Sequence, residues 1–238
     1  MSQILVELIK LANLIILLSR ASASLNRVNS IFAVRSSLAE GGRILAEGPS
    51  EDREPAVAFR GVTFSYQGSG APSLSDITFE AGNGETIGVI GGTGSGKTTL
   101  VHLIPRFYDV SSGSVEVAGQ DVRELTSKSL RSAVGIVPQK ASLFRGTLRD
   151  NMLWGREDAS DEEIWQALET AQAKEFVDSK GMGLDLPVEQ GGRNFSGGQK
   201  QRLTIARALV RNPRILILDD SASALDFATD ARLRQAIR

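Results

Sequence analysis

The feature that most constrains the fold is a glycine-rich segment from Gly91 to Thr98, which reads GGTGSGKT. An apolar run with strand character, residues 85–91, leads into it, and a helical pattern follows it. Glycines let a backbone fold closely around an anion and aim N–H groups at it. The N-terminus of the following helix favours the same negative charge. The segment therefore predicts a phosphate-binding loop between a strand and a helix.

The loop fits the pattern G-x-x-x-x-G-K-[ST], in which each polar residue has its own task. Lys97 is expected to reach the β- and γ-phosphates of a nucleotide, and the Thr98 hydroxyl to bind magnesium. A glycine-rich turn without a ligand is the alternative, but the flanking strand and helix argue against it. The residues expected to contact the nucleotide are Gly92, Thr93, Gly94, Ser95, Gly96, Lys97, Thr98 and Thr99.

A second polar feature follows a run with the composition of a buried strand, residues 214–220. The run ends in two carboxylates, Asp219 and Asp220. By itself this pair would indicate a solvated turn. Beside a phosphate-binding loop, Asp219 at the end of the strand is expected to hold magnesium.

Strand and helix patterns alternate from Ala56 onward, which predicts an α/β fold with parallel strands. The region over residues 146–212 is mostly helical in pattern, with an acidic helix start at residues 161–163. Strands are predicted over residues 56–66, 74–81, 85–91, 114–119, 134–139 and 214–220.

The N-terminal run, residues 4–18, is almost entirely apolar, and Glu7, Lys10 and Asn13 form one narrow polar stripe of a helix. The run is shorter than the about 20 apolar residues of a complete membrane span. It suits the last turns of a membrane helix whose polar stripe faces a cavity. An amphipathic soluble helix packed on a domain is the alternative.

The helical pattern continues towards Glu40 with arginines and no acidic residue, a bias typical of the cytoplasmic side of a membrane. Gly41 and Gly42 are expected to end the helix. Residues 41–55 are rich in glycine, proline and acidic residues and predict a linker.

Composition excludes several kinds of site and partner. The chain has no cysteine and one histidine, His102, which excludes disulfides, thiolate zinc sites and multi-histidine metal sites. Its 27 basic and 28 acidic residues give a net charge of −1. A nucleic acid is therefore not expected as a partner.

The run from Asn194 to Arg202 reads NFSGGQKQR and resembles the signature of ABC transporter nucleotide-binding domains, usually L-S-G-G-Q, with Phe195 in place of leucine. It precedes the strand at 214–220, in the family order. The resemblance implies an α/β P-loop NTPase fold of the ABC type, with an antiparallel β subdomain and a helical subdomain, preceded by a long N-terminal helix. It also implies ATP and Mg²⁺ as cofactors.

The resemblance assigns roles to further residues. Tyr66 resembles the aromatic residue that stacks on adenine, and Gln139 resembles the glutamine that contacts magnesium and senses the γ-phosphate. Ser223–Asp226 resembles the D-loop, and Glu189–Arg193 resembles an exporter loop that meets the membrane domain. In this family the signature faces the ATP of the opposite domain, which here would involve Ser196, Gly197, Gly198 and Gln199.

The resemblance also implies a domain organisation and partners. Residues 1–40 resemble the end of the last membrane helix of an exporter-type subunit, 41–55 the linker and 56–238 the nucleotide-binding domain, with its helical subdomain at about 146–212. The expected partners are the membrane domain of the same subunit, the membrane itself and a second nucleotide-binding domain. The expected location is the cytoplasmic face of the cell (inner) membrane.

Two departures from the family pattern matter. The residue after the magnesium-binding aspartate is usually glutamate, which positions the attacking water, but here it is Asp220. Asp220, Gln139 and Lys97 are the expected catalytic residues, and a slow site of this kind favours a heterodimer. The switch histidine of the family would fall beyond Arg238, so the C-terminal part of the domain is expected to be missing.

The resulting hypothesis is the ATPase part of an ABC exporter subunit, with a slow ATP site of its own. A non-hydrolytic regulatory partner in a heterodimeric transporter is one alternative. A soluble ABC ATPase of DNA repair or translation is another, although an apolar N-terminal helix argues against it. A non-functional fragment is the last.

Overall fold

A computed structural model describes residues 2–34, 36–45, 54–221 and 223–237. The chain forms two compact units, of which one ends at Ala39 and the other begins at Glu40. Arg35, in the N-terminal segment, and residues 46–53, in the predicted linker, lie outside the described residues.

The first unit contains one long helix, α1, from Ser2 to Phe32. The expectation that this helix continues to Gly41 is wrong. Beyond Phe32 the Ser36 hydroxyl accepts a hydrogen bond from the backbone N–H of Leu38, at 3.2 Å. Such a bond between a serine side chain and a nearby backbone N–H takes the place of the hydrogen bond that the N–H would make in a helix, and it therefore favours a non-helical backbone. In the described parts of the chain, no helix combines the length and the apolarity that crossing a bilayer requires.

The second unit begins with a short segment, residues 40–45, which we call the strap. The sequence predicts a linker from residue 41, but the strap packs against the domain. The Glu40 carboxylate accepts hydrogen bonds from the backbone N–H and the hydroxyl of Ser127, at 2.6 and 2.8 Å. These bonds lower the pKa of Glu40. Leu45 is only 6% exposed and belongs to the core.

A four-stranded antiparallel sheet follows the strap in the chain. Phe59 and Phe79 lie opposite each other on neighbouring strands, and their rings stack at 4.7 Å. Side chains of β-branched and aromatic residues suit such half-buried strands. The strands are β1 Val57–Phe64, β2 Leu74–Ala81, β3 Ser112–Val117 and β4 Gln120–Asp121. Their order in the sheet is β2-β1-β3-β4.

Two parallel strands, β5 Val134–Val137 and β8 Ile215–Leu218, pair directly. They lie between two apolar clusters, since Val134 belongs to the cluster beneath the antiparallel sheet and Val137 to the cluster of the helical region. Both strands therefore end at the same edge, where their following residues meet.

The strand predicted over residues 85–91 is not formed. Within the described ranges no strand pairs with this segment. Its apolar side chains lie at the surface, and Ile90 is 97% exposed. A parallel strand depends on neighbours for its backbone hydrogen bonds and for burial on both faces. Without them the apolar composition of 85–91 does not produce a strand.

The helical region packs α4 (Leu148–Leu153) and α5 (Asp161–Thr170) against α7 (Gly197–Val210). The packed core of this region includes Met152, Ile164, Leu168, Leu203 and Ile205. Helices α4, α5 and α7 each begin with a serine or threonine whose side chain caps the helix. The third residue of each helix is an aspartate, glutamate or glutamine, and its side chain bonds back to the backbone N–H of the capping residue. A two-stranded pairing, β6 Gly146–Thr147 with β7 Pro187–Val188, closes the region. The helices are α2 Lys97–Leu103, α3 Ser127–Ala133, α4 Leu148–Leu153, α5 Asp161–Thr170, α6 Lys174–Asp178, α7 Gly197–Val210 and α8 Phe227–Ile237.

The antiparallel sheet, the parallel strands and the helical region that the sequence predicts are all present.

Candidate functional site

The glycine-rich loop, Gly91–Thr98, leads directly into α2. Gly94 and Gly96 have φ of 80° and 88°, the left-handed region in which glycine is favoured. A Cβ at Gly96 would also lie 2.9 Å from the Leu74 side chain and 3.0 Å from the carbonyl oxygen of Ser73, so a larger residue would be strained there. The Lys97 ammonium donates hydrogen bonds to the carbonyl oxygens of Gly91 and Gly92, both at 2.8 Å. The loop thus curls around the half-buried positive charge of Lys97, while its residues 91–95 are exposed to solvent.

The end of β8 meets the beginning of α2 through one hydrogen bond. The Thr98 hydroxyl donates to a carboxylate oxygen of Asp219 at 3.0 Å, although 121 residues separate the two in the chain. Asp219 is 9% exposed, and its backbone N–H bonds the carbonyl of Val137 at 3.0 Å, which continues the parallel pairing. The structure therefore brings together the hydroxyl and the carboxylate that the sequence predicts as magnesium ligands.

The side-chain oxygens of Thr98 and Asp219 suit magnesium. Magnesium is typically held by one or two protein oxygens, with water and substrate phosphates completing an octahedron. Thr98 and Asp219 provide such oxygens, and among the described residues no group of three or more acidic, histidine or cysteine side chains forms a self-sufficient cage. The arrangement suits a cation that arrives together with a phosphate.

Gln139 and Asp220 meet at the same edge, because each follows one of the two paired strands. The Gln139 side-chain amide donates to a carboxylate oxygen of Asp220 at 2.9 Å. The amide N–H₂ must face the carboxylate, so the amide oxygen of Gln139 remains available as a ligand. Asp220 has φ of 48°, in the left-handed region, which aspartate tolerates better than most residues.

Tyr66 follows β1 and lies beside the loop. Its hydroxyl forms a hydrogen bond with the Thr99 hydroxyl at 2.9 Å, and its ring contacts those of Phe64 and Tyr108. Tyr66 is 37% exposed, which leaves part of its ring open to a ligand. The residues predicted to contact the base and the phosphates thus lie on one continuous surface.

The signature residues begin α7. The Ser196 hydroxyl accepts from the backbone N–H of Gln199 at 3.3 Å, and the Gln199 side chain accepts from the backbone N–H of Ser196 at 3.0 Å. This reciprocal cap fixes the start of the helix, where Gly197 and Gly198 occupy the first turn. A Cβ at Gly198 would lie 3.0 Å from the carbonyl of Ala224, so the following loop packs closely here.

The signature residues 196–199 lie apart from the other candidate site residues. Among the described residues, no hydrogen bond connects residues 196–199 with the glycine-rich loop or with Asp219. Phe195, which replaces the usual leucine, is buried in the helical cluster beside Phe176. The signature therefore forms a second, separate polar surface.

The remaining motif residues have local structural contacts. Ser223 donates its hydroxyl proton to the carbonyl of Asp220 at 3.0 Å. Asp226 accepts hydrogen bonds from the backbone N–H and the hydroxyl of Thr229, which lower the pKa of the Asp226 carboxyl. The loop Glu189–Arg193 contains a 3₁₀ turn. His102 lies on α2 with its ring against Phe107, as a helix residue and not as a partner of Asp219.

Two residues outside the predicted motifs support the segment after Gln139. The buried side chain of Asn151 bonds both the N–H and the carbonyl of Phe144, each at 2.8 Å. Arg207 donates to the carbonyl of Ser142 at 3.0 Å, and burial lowers the pKa of its guanidinium. Asn151 is a polar residue on an otherwise apolar helix face, and this could have indicated a structural role for it. The sequence around Arg207 gives no comparable indication of its contact with Ser142.

Comparison with known proteins agrees with this geometry. A family model described as ABC transporter matches residues 74–223. An uncharacterized ABC transporter ATP-binding protein of Mycobacterium tuberculosis is 42% identical over 240 residues, which cover 100% of this chain and 40% of that protein. A multidrug efflux ATP-binding/permease protein of the same species is 40% identical over 96% of this chain and 19% of that protein.

A solved structure is similar as well. The structure of a bacterial Atm1-family ABC exporter with ATP bound matches with a TM-score of 0.83 and 33% identity, over 93% of this chain and 38% of that chain. The chain therefore spans 40% or less of the length of these three proteins.

Proposed function

Because the chain belongs to the ABC transporter family, we propose that it is the ATP-binding and ATPase part of an exporter subunit. The observation that carries this proposal is the 3.0 Å hydrogen bond between Thr98 and Asp219, which joins the glycine-rich loop to the end of β8. The efflux protein among its relatives supports export as the process that ATP drives.

Each residue of the site has a separate task in this proposal. The glycines of the loop allow its backbone to approach phosphate oxygens, and Lys97 neutralises the β- and γ-phosphates. The oxygens of Thr98 and Asp219 hold magnesium, which when bound neutralises charge that develops on the phosphates. Tyr66 stacks on the base. Gln139 turns its amide oxygen towards the same corner, because its N–H₂ is bonded to Asp220.

Asp220 makes hydrolysis at this site slow. Aspartate is one methylene shorter than the usual glutamate, and a misplacement of about 1 Å in a catalytic group can lower a rate about a hundredfold. Its carboxylate is also engaged by Gln139, at 2.9 Å. The site therefore binds ATP well and positions the attacking water poorly.

The separate signature surface serves a second nucleotide-binding domain. Ser196, Gly197 and Gly198 lie at the N-terminus of the 14-residue helix α7, where backbone N–H groups and the helix dipole favour an anion. We infer that this surface completes the ATP site of a partner domain, and that the partner carries the glutamate in a heterodimer. The chain acts at the cytoplasmic face of the membrane, next to the membrane domain of its own subunit.

The substitution Asp220→Glu tests the slow site. We expect phosphate release by the assembled transporter to rise about tenfold to a hundredfold, because the longer side chain restores the position of the base. Asp158→Glu is the matched control, since it adds the same methylene to a side chain that is 88% exposed. Unchanged turnover in Asp220→Glu would show that Asp220 does not limit hydrolysis.

A second variant tests nucleotide binding independently of turnover. Lys97→Ala removes the positive charge of the loop and should greatly weaken the binding of Mg-ATP, measured by isothermal titration calorimetry. Equal affinity in the variant and the natural protein would contradict the proposed ATP site.

A regulatory, non-hydrolytic role is the second candidate, and the presence of Asp220 favours it. In that role the chain holds ATP and contributes its signature without hydrolysing its own nucleotide. Analysis of the nucleotide retained at the site after many turnovers separates the two: ADP indicates slow hydrolysis, and intact ATP indicates the regulatory role.

A further inference from the structure

The ring of Tyr66 is held by two aromatic neighbours. Its centroid lies 5.2 Å from that of Tyr108, at an interplanar angle of 87°, and 4.8 Å from that of Phe64, at 83°. Phe64 and Tyr108 also contact each other at 5.5 Å. Edge-to-face contacts of this kind are attractive, because the positive edge of one ring meets the negative face of another. Two perpendicular neighbours therefore define the plane in which the Tyr66 ring lies.

The hydroxyl of Tyr66 adds a third constraint. It forms a 2.9 Å hydrogen bond with Thr99, a buried residue in the first turn of α2. The preceding residue, Thr98, is bonded to Asp219. The far end of the tyrosine is thus tied to the same helix turn that carries the candidate magnesium ligand.

These contacts hold a side chain that is still 37% exposed. An exposed tyrosine that lacked them would sample several rotamers, and a ligand would lose affinity by ordering it. Tyr108 itself is 40% exposed, so only part of its side chain packs against the buried ring of Phe64. The cluster has the properties of a preorganised stacking surface.

We propose that Tyr108 is a positioning residue for nucleotide recognition: together with the Thr99 hydroxyl it fixes the Tyr66 ring so that a base can stack on it. This inference rests on the proposed function, because it concerns the base of the same nucleotide. The phosphates are recognised by the glycine-rich loop, whereas the Tyr66, Tyr108 and Thr99 group acts only on ligands that carry a base.

Two ligands separate this role from a general structural one. Isothermal titration calorimetry in the presence of Mg²⁺ compares ATP with inorganic tripolyphosphate, which has the same phosphate chain and no base. Tyr108→Leu removes the aromatic ring but keeps most of the volume. We expect it to weaken ATP binding about threefold to tenfold, through lost preorganisation, and to leave tripolyphosphate binding unchanged. Tyr108→Phe retains the ring and should retain the affinity for ATP.

A neighbouring aromatic residue provides the matched control. Phe107 is 38% exposed and contacts His102 and Arg131. Phe107→Leu should leave the affinities for both ligands unchanged. Tyr66→Phe, which removes only the hydroxyl, should weaken ATP binding in the same selective way as Tyr108→Leu.

Each other outcome overturns the inference in an identifiable way. Equal weakening of both ligands by Tyr108→Leu would assign Tyr108 a structural role, and no weakening of either would assign it none. In both of these cases the natural chain would still bind ATP, so only the role of Tyr108 would be refuted and the proposed function would stand. Failure of the natural chain to bind either ligand would instead refute the proposed function itself.

Discussion

Replacing Gly41 with alanine should loosen the strap from the domain. An ideal Cβ at Gly41 would lie 2.4 Å from the carbonyl oxygens of both Glu124 and Leu125. Contacts shorter than 3.0 Å essentially never occur for a real Cβ, and the atoms in the way belong to the backbone. Since a backbone carbonyl cannot rotate aside as a side chain can, the strap itself must move.

The contacts at risk set the size of the effect. The strap is held by backbone hydrogen bonds from Arg43 to Glu124, at 2.9 Å, and from Thr126 to Arg43, at 2.7 Å. The N–H of Leu45 also donates to the Ser129 hydroxyl at 2.7 Å. Adding a methyl group to a well-packed site typically costs about 1–3 kcal/mol. Because the clash involves backbone atoms, we expect Gly41→Ala to lower the free energy of unfolding by about 2 kcal/mol.

The adjacent glycine is the control, because a Cβ at Gly42 would have no atom within 4 Å and its φ is not positive. Gly42→Ala should change the free energy of unfolding by no more than about 0.5 kcal/mol. Both variants are measured by urea denaturation, and limited trypsin digestion reports cleavage after Arg43 in the strap. Equal stability of the two variants, with equal cleavage after Arg43, would refute the steric argument.

Two further predictions concern packing and pH. Leu203 on α7 is fully buried, so Leu203→Ala should lower the free energy of unfolding by about 2–5 kcal/mol, measured by urea denaturation. A smaller loss would contradict the central place of Leu203 in the helical cluster. Hydrogen bonds from Thr229 lower the pKa of Asp226 in the folded protein. The Asp226 carboxylate therefore stabilises the start of α8 fully at a pH above about 3.9, the pKa of an aspartate in the unfolded chain. This contribution is lost as the pH falls through the lower pKa of the folded state. Thr229→Val removes the hydroxyl contact but keeps the backbone N–H contact, which is the larger cause, so the pKa of Asp226 should rise only part of the way to its ordinary value in an NMR titration. An unchanged pKa would show that the Thr229 hydroxyl does not contribute.

The parts of the candidate site that depend on local patterns are the ones for which the sequence makes a prediction. Glycine spacing identified the loop, and an apolar run that ends in carboxylates identified Asp219 as its partner. The hydrogen bond between Thr98 and Asp219 agrees with that expectation. Such patterns are readable because each residue type has a direct steric or chemical reason to be there.

Features that depend on distant neighbours were not predictable. Residues 85–91 have strand composition, but composition does not reveal whether another strand lies alongside. The strap has the glycine and charge content of a linker, and only its fit against Glu124 and Ser127 distinguishes it from one. Ser36, whose hydroxyl bonds the backbone of Leu38, is likewise ordinary in the sequence.

The attachment point of the strap has a mechanical consequence. Glu40 binds the first residue of α3, which runs without interruption into β5, and β5 ends two residues before Gln139. A displacement of Glu40 is therefore passed to the start of α3 through its two hydrogen bonds with Ser127. One helix and one strand, α3 and β5, connect this attachment point to the segment that carries the Gln139–Asp220 hydrogen bond.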